Sequence, residues 1–103
     1  MASNKPRDYY SARLLLELTK VIAERRRELG LSQEDFSDIA GFSRSYVSDI
    51  ERGERSFGLR NLVRLASALD LTPSALLNRA ETKLEIEDRG ALLRTTCVEV
   101  TPD

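Results

Sequence analysis

Histidine is absent from this 103-residue chain, and cysteine occurs once, as Cys97. Without histidine, the usual zinc sets and His-based catalytic triads cannot be assembled. A single cysteine excludes an internal disulfide, which fits a reducing compartment. The start, Met-Ala-Ser-Asn-Lys-Pro, has no apolar signal core, and the two observations together point to the cytoplasm. Long apolar runs are also missing. The longest aliphatic stretch, Leu14-Leu15-Leu16, is far too short to span a bilayer, so no membrane partner is expected. Paired carboxylates remain available by composition, but no loop or cleft signal accompanies them. Glu34, Asp35 and Asp38 sit instead at a helix start, where acidic groups favour the dipole. The expectation is a non-enzyme with no cofactor, no metal site and no evident small-molecule ligand.

Net charge is also scarce, at −1, but its distribution is uneven. Residues 1–79 carry thirteen Lys/Arg against eleven Asp/Glu, a balance of +2. Residues 80–103 carry Lys83, Arg89 and Arg94 against six acids, a balance of −3. The body is mildly basic and the tail is acidic. An apolar fraction of 41% over this length supports one helical core and little else.

The pattern that is present is helical. Residues 1–10 are polar, contain Pro6 and read as a loose arm; its Lys5 and Arg7 could lie along a nucleic-acid backbone, although a terminus without a role is the simpler reading. Helix 1 is expected over Ser11 to Leu29. Its stripe is Leu14, Leu15, Leu18, Val21, Ile22 and Leu29, and Gly30 closes it. Helix 2 follows over Gln33 to Ala40, with Ser32 as cap and Asp35 completing a carboxylate variant of the capping box. Helix 3 covers about Arg44 to Arg52, capped by Ser43 and stopped by Gly53. Helix 4 covers about Leu59 to Leu69 and is expected to bury Leu59, Leu62, Leu65, Ala66 and Leu69. Thr72-Pro73 opens helix 5, which ends near Asn78.

The chain thus divides into a flexible arm (1–10), a five-helix body (11–78) and an acidic extension (79–103). In the extension, Leu84 and Ile86 alternate with Glu85 and Glu87, and Thr96, Val98 and Val100 alternate again. That spacing reads as a β-hairpin, with a short helix through Ala91 to Thr95 or plain disorder as alternatives. A two-stranded ribbon needs a surface to pack on, and a second copy of the chain could supply it.

Residues 32–53, SQEDFSDIAGFSRSYVSDIERG, are the most informative stretch. Two short helices meet at Gly41, and the second has polar side chains on its free face, a helix-turn-helix arrangement. Phe36, Ala40, Phe42, Val47 and Ile50 read as core. Ser37 faces the crossing of helices 2 and 3, where a small side chain is needed and its hydroxyl can bond back to the helix.

Residues 20–78 resemble the DNA-binding domain of the lambda-repressor/Cro family, also called the Xre family. The resemblance rests on ERRRELGLSQEDF, AGFSRSYVSDIERGER and LVRLASALDLTPSALL, in that order. It implies a five-helix all-α fold, binding to double-stranded DNA, usually as a homodimer, and control of transcription. It also implies an ion pair between Arg26 and Glu51, and a phosphate contact by Gln33 that braces helix 3. Arg52, Arg55 and Arg60 match positions near the DNA backbone, and Arg25 is a further phosphate candidate. The segment SRSYVSDIERGER is also compatible with small autoregulators of restriction–modification systems.

Base contact should fall on the exposed start of helix 3, in the major groove. Arg44 is the leading candidate, because its fork can bond guanine O6 and N7 together. Ser45 and Ser48 can reach bases or phosphates. Tyr46 offers a hydroxyl, and a ring for a thymine methyl. Asp49 could accept from cytosine or orient Arg44. The competing expectation is a protein-binding module, such as an antitoxin or co-regulator that uses the same scaffold against another protein, with the acidic tail as docking segment.

Overall fold

The computed structural model describes residues 4–96, with side chains described from Tyr9 to Ile86. Five helices follow in order: α1 (Asn4–Glu28), α2 (Gln33–Ala40), α3 (Arg44–Glu51), α4 (Leu59–Ala68) and α5 (Pro73–Thr96). There is no strand among the described residues. None of their helices is long and apolar enough to cross a membrane.

Capping sets the middle of the chain. The Ser32 hydroxyl accepts from the Asp35 amide at 3.0 Å, and Asp35 accepts in return from the Ser32 amide at 3.4 Å. Ser43 caps α3 through the Tyr46 amide at 3.1 Å, and Thr72 caps α5 through the Ala75 amide at 3.1 Å. Each bond satisfies an amide that the helix itself leaves free. At the other ends, α1 to α4 all close with paired backward bonds, such as Leu31 N–H to Arg26 O and Gly30 N–H to Arg27 O. The left-handed residue is glycine at three of these ends and Asp70 (φ 60°) at the fourth.

Both long helices exceed their expected limits. α1 begins at Asn4 rather than Ser11, so residues 4–10 are helical where a loose arm was expected. Pro6 does not prevent this, because it falls in the first turn, where no amide is needed. α5 runs past Asn78 to Thr96, which replaces the expected first strand at Leu84 and Ile86 with helix. Leu76, Ala80 and Leu84 recur every four residues and are all fully buried, and that repeat carries the helix onward. Val98 and Val100 lie outside the described residues.

The core gathers around Phe36, with Val21, Ile22, Val47, Ile50, Leu65, Leu69 and Leu76 fully enclosed. Three expected core members, Leu15, Leu29 and Leu59, lie outside it. Leu59 is 73% exposed at the first turn of α4, and Leu29 is exposed at the end of α1. Phe42 is only partly buried against the cluster. Buried hydroxyls are bonded locally: Ser37 Oγ donates to Glu34 O at 2.8 Å and Thr19 Oγ1 to Leu16 O at 2.7 Å. No buried side-chain polar atom lacks a partner among the described residues.

Candidate nucleic-acid interface

α3 has two sides of opposite character. On its inner side, Arg26 from α1 grips Glu51 in a two-point pair, Nε to Oε2 at 2.7 Å and Nη2 to Oε1 at 3.1 Å. The same guanidinium donates from Nη1 to Leu31 O at 2.7 Å, which ties in the chain entering α2. Gln33 Nε2 adds a bond to Glu51 Oε1 at 2.9 Å. The two charged side chains are only 12% and 7% exposed. A pair this enclosed is screened weakly by salt and resists displacement.

The turn into α3 is fixed from α4. Gly41 has φ 80°, and a Cβ there would lie 2.7 Å from Arg64 Nη2. Glycine therefore serves both the left-handed backbone and the close approach. Arg64 Nη2 donates to Gly41 O at 2.7 Å and Ala40 O at 3.2 Å, the free carbonyls at the end of α2. Its guanidinium also covers the Phe42 ring at 4.3 Å. Phe42 packs on Tyr46 with ring centroids 4.8 Å apart, and Arg55 covers the Tyr46 ring at 5.1 Å. The result is a row of cation, ring, ring and cation along one flank of α3.

The opposite flank is open. Gln33, Arg44, Ser45 and Ser48 line a shallow groove of about 360 Å³. Arg44 and Ser45 are exposed, and their side chains make no hydrogen bond or ion pair among the described residues. Arg60, at the start of α4, is likewise exposed and without such a partner. Between the flanks lies a self-paired cluster. Arg52 donates to Ser48 Oγ at 2.5 Å, Asp49 Oδ1 at 2.6 Å and Glu54 Oε1 at 3.2 Å. Glu54 first, and Asp49 after it, raise the Arg52 pKa above its ordinary value.

Most sequence-expected site residues thus converge on or beside α3, with two changes of role. Asp49 pairs with Arg52, one turn along the same face, and not with Arg44. Arg25, expected as a further phosphate candidate, is engaged within the fold: its Nε donates to Leu69 O at 3.0 Å, at the end of α4, and its Nη1 pairs with Glu28 at 3.1 Å. The bond from Arg25, followed by one from Arg79, holds the Glu28 carboxyl below its usual pKa. Tyr46 is half-buried by its two neighbours, and its hydroxyl accepts from Asn61 Nδ2 at 2.8 Å.

Arg64, inside a family-like stretch, and Asn61, just before it, bear on this site, but the sequence pattern assigned neither a role. Both project from α4 toward residues more than ten positions earlier, so only the packing of α4 reveals them. Periodicity identifies the buried side of a helix, but not which polar residue reaches across its edge.

Comparisons with known proteins agree with this geometry. A family model described as Helix-turn-helix, of the Xre-like type, matches residues 22–76. Control protein C.SmaI of Serratia marcescens is 35% identical over 74 residues, covering 68% of this chain and 88% of that protein. The restriction-modification controller protein C.AhdI of Aeromonas hydrophila is 42% identical, with a TM-score of 0.58, covering 60% of this chain and 94% of that one. The controller protein C.Esp1396I, solved as a tetramer with its natural 35 base-pair operator, is 28% identical with a TM-score of 0.64, covering 67% and 91%. The match spans α2, α3 and α4 whole, with the groove, the inner clamp and the turn between them, and places this chain in the Xre-like helix-turn-helix family.

Proposed function

We propose that the chain is a sequence-specific, double-stranded DNA-binding transcriptional regulator, not an enzyme, and that α3 enters the major groove. The observation that carries this reading is the contrast at α3: a helix clamped from behind presents an unpaired Arg44 at an open groove. In this reading Arg44 forks onto guanine, while Ser45, Tyr46, Ser48 and Asp49 tune the neighbouring contacts. Gln33, Arg52, Arg55 and Arg60 lie on the phosphates of the two strands and set the register. The likeness to control proteins of restriction–modification systems supports autoregulation by a small dimer on a two-fold related operator.

Dimerisation has its own support. Leu59 and Val63 are exposed one turn apart on α4, and Leu59 borders an apolar groove of about 310 Å³ that Leu14, Phe57 and Leu77 also line. Leu59→Glu should shift dimers to monomers in light scattering.

The regulator reading is tested by binding to DNA upstream of the chain's own gene at graded salt. Six to ten phosphate contacts predict roughly 10³- to 10⁵-fold weakening between about 50 and 200 mM salt. A flat response, with capture of a neighbouring gene product instead, favours the protein-binding alternative and overturns DNA as the primary ligand.

A further inference from the structure

On the outer side of α3, Tyr46 has its polar atom already bonded to another helix, through Asn61 of α4. Its ring is packed by both Phe42 and Arg55, which restrict how far the phenol can tilt. Its oxygen receives the Asn61 side-chain amide at 2.8 Å. An amide N–H has only a donor role, so it occupies an acceptor position of the phenol. The phenolic proton must then point elsewhere. The Arg55 guanidinium over the ring cannot accept it, since arginine carries donors alone, and no acceptor for it is found among the described residues.

We propose that Asn61 is a positioning residue that sets the hydrogen-bonding polarity of Tyr46, so that the phenol meets duplex DNA as a donor to an acceptor atom. The acceptor is a non-bridging phosphate oxygen or a base-edge atom of the kind found at guanine O6 and N7, adenine N7 or thymine O4. The inference deepens the regulator reading and rests on it. It assigns a function to a residue of α4 through the bond it makes to α3. It also separates Tyr46 from Arg44: Arg44 is free to search for its partner, whereas the phenol is oriented before contact.

A double-mutant cycle on duplex DNA enriched from a random-sequence pool tests this. Asn61→Leu should weaken binding about threefold to tenfold, as expected for losing one oriented hydrogen bond. In a Tyr46→Phe background the same change should have almost no effect. Asn61→Asp, which can only accept, should turn the phenolic proton inward and cost at least as much. In the Tyr46→Phe background it should retain only its charge effect, read from the salt slope. Circular dichroism checks folding, and the aspartate variant carries the test if the leucine variant misfolds.

A loss confined to one base pair would identify a base acceptor, and a loss shared by all sequences a phosphate; either outcome supports the assignment. Equal losses in both backgrounds, or none in either, would overturn it while leaving wild-type DNA binding intact. Failure of the wild type to bind any duplex would instead remove the regulator reading, and Asn61's role with it.

Discussion

The inner and outer sides of α3 both depend on arginine, yet they use it in opposite ways. Arg26, behind the helix, has its guanidinium committed to Glu51 and Leu31 O. The Arg44 side chain, in front, bonds to nothing among the described residues. The first arrangement turns a costly buried charge into a fixed strut, because each charged atom finds a partner. The second keeps a cation hydrated and ready to exchange water for a ligand. A helix that must read another molecule needs both, since an unpaired side chain gives specificity only when its base cannot shift.

The comparison can be broken most severely from the inside. Glu51→Ala should cost about 3–5 kcal/mol in chemical denaturation, because it strands the Arg26 charge in a nearly closed site. A loss below about 1 kcal/mol would mean that the strut is dispensable, as surface pairs are. Arg44→Ala should do the reverse. It should leave stability within about 0.5 kcal/mol, while costing about 1–3 kcal/mol on the preferred DNA site and relaxing choice at one base pair. If operator preference survives intact, the outer face has been wrongly assigned.

Gly41→Ala tests the joint between the two sides. The left-handed backbone and the crowding by Arg64 should cost about 1–2 kcal/mol of stability. A neutral thermal melt would show that the turn can open. The smallest effect should come from Glu54→Gln. Removing this carboxylate frees part of Arg52, so DNA binding should strengthen about twofold to fivefold with a steeper salt slope. Weaker binding would mean that Glu54 holds Arg52 in its productive pose.

α2, α3 and α4 were legible to within a residue at each end, and the reason is local. Ser32 and Ser43 announce the starts of α2 and α3 by the bond each makes three residues on, while α4, with Gly58 before it and no side-chain cap, is marked by its apolar repeat. The long helices were less legible because their limits are set elsewhere. Leu84 and Ile86 alternate like a strand, and only the burial of Leu84 beyond Leu76 and Ala80 reveals the helical repeat. Leu59 misled in the opposite sense. It sits at a core-compatible position, but at the first turn of α4 it borders a surface groove and is not enclosed.

The same distinction separates the site residues. Arg44, Ser45 and Ser48, expected from their places on α3, share a groove with Gln33, which only the family resemblance pointed to. Arg25 does not, because its partner is a backbone carbonyl forty-four residues away, which no pattern encodes. The helical course of α5 also alters how a truncation should be read. Cutting after Asn78 removes Ala80 and Leu84 from the core, so a loss of assembly there would partly report unfolding.

The enclosed Arg26–Glu51 strut has a consequence for how the molecule would behave as ionic conditions change. Mobile ions compete for the exposed cations, yet they scarcely enter a contact so shielded from solvent. Occupancy of every site should therefore decline as electrolyte rises, while the ranking among sites stays nearly constant. Under osmotic stress such a regulator would release its targets without confusing them.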